Sequence, residues 1–110
     1  MEKEPKPVIY STKFKQDVID VFKHGFETFG KIQAEKYQSD IYRLVSCLDV
    51  FYEIYPECRH LLTKSKMYRW IILESHLIIY RINEAEIQLL RIIHSHRSIT
   101  KIKDSRSIKI

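Results

Sequence analysis

Three short apolar runs crowd residues 67–94, and the gaps between them restrict how they can be connected. MYRWIIL (67–73) is separated from HLIIYRI (76–82) by Glu74-Ser75 alone, and NEAE joins that run to IQLLRIIH (87–94). β-Branched and aromatic side chains dominate all three, as suits strands with partly buried faces. Links of two and four residues are too short for a crossover between parallel strands, so the runs form an antiparallel meander. If residue 73 pairs with 76 and residue 82 with 87, alternation sorts the side chains onto two faces. One carries Tyr68, Trp70, Ile72, Leu77, Ile79, Arg81, Leu90 and Ile92. The other carries Arg69, Ile71, Leu73, His76, Ile78, Tyr80, Ile82, Leu89, Arg91 and Ile93.

A sheet this apolar needs cover, and the first half of the chain supplies it. After a short strand at 8–11, VIYS, the hydroxyl of Ser11 or Thr12 is placed to cap a helix. Phe14, Val18, Phe22, Phe26 and Phe29 follow as an apolar stripe that Gly30 ends. Ala34, Tyr37, Ile41, Leu44, Leu48, Phe51 and Tyr55 alternate by three and four, which predicts a second helix over 31–55 stopped by Pro56. Two helices joined through one glycine form an antiparallel hairpin. The expected fold is α+β, in the order β-α-α-β-β-β, with the hairpin on one face of an antiparallel sheet. The first face is the better match for the helices, setting Leu44 and Leu48 against Trp70 and Ile79. The second face is also apolar but holds Arg69, His76, Tyr80 and Arg91. It is either a partner or ligand surface, or is covered by the first strand or the C-terminal tail. Left open, it would make the chain dimeric or prone to aggregate.

With 110 residues the chain suits one small domain. No apolar run approaches the ~20 residues that span a bilayer, so no membrane role is expected. MEKEPKP at the start has acids and no apolar stretch, which predicts no secretion signal and a cytoplasmic protein. Cys47 and Cys58 lack CxxC spacing and read as reduced, structural thiols. The net charge of +5 is uneven. Residues 1–7 form a neutral extension, 8–97 the domain, and 98–110 a basic tail with four basic residues and one acid. The tail is expected to be solvated, and its direct binding to nucleic acid weak and salt-sensitive.

Three segments together resemble the RelE/ParE superfamily of toxins. FGKIQAEKY (29–37) is similar to its helix-hairpin motif through Gly30, Gln33, Ala34 and Tyr37. HLIIYRI is similar to its central strand through His76, Ile78, Tyr80 and Arg81. LLRIIHSHRSI (89–99) is similar to its last strand through Arg91, His94 and Arg97. The likeness covers about 8–99 and is closer to the ParE branch, with Ser98 standing where relatives often have aspartate. It implies the toxin of a type II toxin–antitoxin module, a cognate antitoxin protein as partner, and DNA gyrase as target. The RelE branch instead implies cleavage of messenger RNA on the ribosome.

RNA cleavage needs a base for the ribose hydroxyl, cations for the developing phosphorane charge and an acid for the leaving oxygen. Arg69, His76, Tyr80 and Arg91 are the residues of the right types, but each also has a plain structural explanation, such as an Arg69–Tyr80 cross-strand pair. His94-x-His96 has a spacing that binds metals, yet no acid or cysteine stands near in sequence, and neither a metal nor a cofactor is expected. The sequence therefore favours a binding protein over an enzyme. Arg91, His94, His96 and Arg97 are the candidate target contacts, and a RelE-type endoribonuclease is the alternative.

Overall fold

The computed structural model describes residues 4–96 and 99–110. A strand β1 (Val8–Tyr10) leads into helices α1 (Thr12–Phe29) and α2 (Lys31–Ser46), a single turn α3 (Leu48–Phe51), and strands β2 (Tyr68–Ile72), β3 (His76–Ile82) and β4 (Ile87–His94). A short helix α4 (Ile99–Asp104) and a 3-10 turn follow. The sheet order is β1-β4-β3-β2, antiparallel within the meander and parallel between β1 and β4.

Local chemistry explains most boundaries. The Ser11 hydroxyl accepts from the Phe14 N–H at 2.9 Å, which caps α1, and donates to the Leu90 carbonyl at 2.9 Å, which ties the cap to β4. Gly30 has φ +88°, where other residues are strained, and that turn reverses the chain between the helices. A β-carbon at Gly25 would lie 3.6 Å from that of Ala34, so α1 and α2 approach closely there. At the β2–β3 link the Leu73 N–H donates to the His76 carbonyl. At the β3–β4 link the Asn83 side chain accepts from the N–H groups of Ala85 and Glu86.

The second helix is shorter than its periodicity predicts. α2 ends at Ser46, whose hydroxyl donates to the Arg43 carbonyl, and the chain restarts as one turn after Cys47. The break re-aims the stripe: Leu48 and Tyr52 are buried, whereas Phe51 and Ile54 are exposed. The α1 stripe also leaves the core part-way. Each four-residue step advances about 40° beyond a full turn, so Phe26 lies about 120° round from Phe14. Phe14 and Val18 are buried, and Phe26 and Phe29 are not.

The sheet faces are reversed relative to expectation. Phe14, Val18, Ile41, Val45, Leu48 and Tyr52 pack with Ile71, Ile78, Tyr80 and Leu89 of the face expected to be open, together with Ile92 from the opposite set. Leu48 is fully buried, but not in the cluster that holds Trp70 and Ile79, and Leu44 is only half-buried. A bulge adds to the difference. Ile79 pairs with Arg91 and Tyr80 with Leu89, so Leu90 is the extra residue. Beyond it Ile92 joins the helix side and Ile93 the other.

That other side is closed as well. Tyr68, Trp70, Leu77, Ile79, Leu90 and Ile93 are covered by Cys58 and Leu61 from the 56–67 loop and by Ile102 from α4. The expected solvated tail is packed instead. Arg81 donates to the Ile108 carbonyl at 2.9 Å, and Arg81 and Arg106 both lie 5.8 Å from the centre of the Tyr68 ring. With both faces covered, the apolar-face argument for a homodimer loses its basis. Both cysteines are free, Cys58 buried and Cys47 exposed. No helix among the described residues is long and apolar enough to cross a membrane.

Candidate functional site

Three imidazoles meet where the meander ends beside the helix hairpin. His76 opens β3 and His94 closes β4, directly paired across the ladder, with ring centres 5.3 Å apart. His96 follows after a turn, its ring 5.3 Å from that of His94, and its backbone N–H donates to His94 Nδ1 at 3.2 Å. From α2, the Tyr37 hydroxyl lies 2.8 Å from His76 Nδ1 and fixes that ring. Burial, then the charges His94 and His24 would carry, lower the His76 pKa from 6.5 to about 4. His76 is therefore a neutral imidazole at pH 7. Burial raises the Tyr37 pKa, so its hydroxyl stays protonated.

Two cavities of about 640 Å³ each adjoin at Val21, His24, His76 and His94. One continues between the helices past Phe29, Gln33 and Tyr37. The other runs along the end of β4 past Asp17, Arg91, His96 and Lys101. Asp17 anchors this second part. Its carboxylate accepts from Arg91 Nε at 2.7 Å, from Arg91 Nη2 at 3.0 Å and from the Ile92 N–H at 2.9 Å. The Asp17 bonds also raise the Arg91 pKa. Among the described residues, no group of three or more His, Cys, Asp or Glu side chains is arranged to hold a metal.

The family model of the ParE toxin of the type II toxin–antitoxin system, parDE, matches residues 8–99. The chain belongs to the ParE toxin family. It is thereby the toxin of a type II toxin–antitoxin system. A solved structure described as the chromosomal ParDE TA system from P. aeruginosa is similar in fold, with a TM-score of 0.68 at 23% sequence identity. The match covers 84% of this chain and 98% of that one. No curated protein matches the chain.

Within this ParE-family domain the sequence candidates separate. His76, His94 and His96 come together, and Arg91 lies nearby but is held by Asp17. Arg69 is elsewhere. Its guanidinium donates to the carbonyls of Glu53, Tyr55 and Lys66 and pins the loop before β2. Tyr80 is fully buried and donates to the Tyr52 carbonyl at 2.7 Å. Four residues of strand, about 13 Å, separate it from His76. Arg97 lies outside the described residues.

Asp17, His24 and Lys101 were not identified as site residues from the sequence. Asp17 did leave a signal, since it lies three residues after Phe14 and one before Val18, a charge on the apolar side of α1. His24, one heptad on, projects from the same side. Lys101 left none, because it reaches the site only when the tail folds back.

Proposed function

We propose that this toxin binds and inhibits DNA gyrase in the cytoplasm, and that a cognate antitoxin encoded with it keeps it silent. The observation that supports a binding mode is the dispersal of the candidate cleavage groups. Arg69 and Tyr80 are committed to main-chain carbonyls, while His76 and Arg91 line a trough elsewhere. General acid–base cleavage requires its groups within hydrogen-bond reach of one phosphate. Family membership supports the gyrase branch on separate grounds. The contact surface in this reading is the end of β4, with His94 and His96, joined by Lys101 of α4; Arg97 is a further candidate from its place in the sequence. Arg91 supports that surface through Asp17. The reading calls for no cofactor.

The test is induced expression with two readouts, gyrase supercoiling in extract and the integrity of cellular messenger RNA. Supercoiling should fall while messenger RNA stays intact, and His94→Ala with His96→Ala should relieve the inhibition in a folded protein. Messenger RNA cut at ribosomes, with the cutting lost in a folded His76→Ala variant, would establish the endoribonuclease instead.

A further inference from the structure

The chain's net charge of +5 comes entirely from two segments set far apart in the sequence. Residues 56–67 hold Arg59, Lys64 and Lys66 against Glu57, and residues 99–110 hold Lys101, Lys103, Arg106 and Lys109 against Asp104. The rest of the chain balances, with twelve basic and twelve acidic residues. Folding brings the two segments together over the sheet face that looks away from the helices. Cys58 and Leu61 of one and Ile102 of the other meet in a single cluster, with Met67 and Ile108 packed against it. All seven cations are exposed, and among the described residues none is in an ion pair. On the helix hairpin, by contrast, Lys31 meets Glu35 and Arg43 meets Asp40. Arg59 lies 5.8 Å from the centre of the Trp70 ring, and Arg106 5.8 Å from that of Tyr68. Those rings are two residues apart on β2, about 7 Å, so the guanidiniums stand within roughly 20 Å of each other. The ring contacts hold both guanidiniums in place and leave their N–H forks for an acceptor.

We propose that this face, the 56–67 loop together with the folded tail, docks on the sugar–phosphate backbone of duplex DNA. Many exposed and unpaired cations call for a polyanion. A DNA strand sets a phosphate every ~3.4 Å of helix axis, so a face roughly 20 Å across meets several at once. The planar fork of arginine matches the oxygens of one phosphate. A lipid surface fits less well. Interfacial helices sink their apolar side into the bilayer, whereas α4 turns Ile102 onto its own sheet and its lysines outward. The choice of DNA over RNA rests on the gyrase reading above, since that target works on duplex DNA. Lys101 belongs both to this face and to the imidazole trough. A toxin seated on gyrase through the trough therefore presents the basic face beside that contact.

The test is fluorescence anisotropy of the full chain with a labelled duplex of ~20 base pairs, from ~50 to ~150 mM salt. Neutralising about four phosphates gives a log–log slope of roughly −3.6, a loss of ~50-fold over that range. Lys64→Gln, Lys103→Gln and Lys109→Gln together should weaken binding by ~10-fold or more at the lower salt and cut the slope by about 2, with circular dichroism unchanged. A matched triple on the hairpin, Lys13→Gln, Lys31→Gln and Lys36→Gln, removes the same charge and should lose less than ~3-fold, because screening confines each charge to its own neighbourhood. Equal losses in the two triples assign the binding to net charge and overturn the face. An RNA duplex bound more tightly than DNA of the same length overturns the choice of DNA, as do vesicles of phosphatidylserine and phosphatidylcholine that strip the toxin from it. Gyrase inhibited by a toxin that binds no duplex DNA overturns the face and leaves the gyrase reading standing. DNA bound through this face by a toxin that leaves supercoiling untouched overturns the gyrase reading, and the face stands on the direct measurement.

Discussion

The Asp17–Arg91 pair is a direct test of how the site is held. Removing the carboxylate, as in Asp17→Ala, strands two groups. The Ile92 N–H is buried and loses its acceptor, which costs about 1–3 kcal/mol. The guanidinium side chain is 21% exposed, so it recovers part of its hydration in the trough, and its loss is smaller. Together these predict a loss of about 2–4 kcal/mol. Arg91→Ala leaves a carboxylate only 10% exposed with one donor in place of three, a similar cost. In the double variant neither charge remains to be stranded, so the two costs should fall short of additive by about 1.5–3 kcal/mol. Arg91→Lys should recover only part, since an ammonium cannot span both oxygens as a fork. Urea unfolding of the wild type and the four variants at pH 7 measures this, with equal m-values as the condition for comparing them. Additivity within about 0.5 kcal/mol would show the pair to be an ordinary surface contact and the reasoning wrong. The cycle also separates stability from recognition: gyrase inhibition lost in Arg91→Ala but regained in the double variant identifies Arg91 as a support, not a contact.

Three further outcomes are expected. Tyr80→Phe should lower stability by about 1–2 kcal/mol by unpairing the Tyr52 carbonyl, seen as a drop in Tm, and should leave supercoiling inhibition intact; lost inhibition at full stability would contradict it. Truncation after residue 98 should uncover Trp70, Leu77, Ile79 and Ile93 and turn a monodisperse chain into one that binds a hydrophobic dye and scatters light; a dye-silent monomer would remove the tail from the core. His76 titrates near 6.5 in the unfolded chain but at about 4 when folded, so between those values the unfolded state takes up the proton first. Its contribution is complete above pH 6.5, declines as pH falls towards 4 and changes no further below. Since the ring is only half-buried, screening limits the loss to about 1–2 kcal/mol. His76→Gln should flatten urea midpoints across that window, and parallel pH profiles would refute the assignment.

Much of the architecture was legible because it depends on short-range chemistry. Ser11 caps a helix because its hydroxyl reaches the N–H three residues on. Gly30 turns the chain because it tolerates a positive φ. The two-residue link at Glu74-Ser75 allows only a hairpin, and the resemblance of three segments pointed to the toxin superfamily. Several of those motif residues proved to hold the fold together. Arg81 holds the tail, Tyr80 holds the loop after α3 and Tyr37 orients His76. The imidazole pair was not legible, since 82 opposite 87 sets His76 across from Ile93, and only the bulge at Leu90 brings His94 there instead.

What the sequence by itself determined was the set of elements, their order, and which strand residues alternate, all consequences of periodicity and of links a few residues long. It did not determine which sheet face meets the helices. Both faces are apolar, and alternation sorts side chains into two sets without ranking them; only the packing of Ile41, Val45 and Leu48 chose. Nor did it reveal the bulge at Leu90, because one unpaired residue leaves the apolar run unbroken while exchanging the faces of Ile92 and Ile93. The joining of Asp17 to Arg91, 74 positions apart, and the folding of Ile102 over the sheet are likewise tertiary. Contacts at such separations depend on how whole elements stack, and local preference carries no record of them.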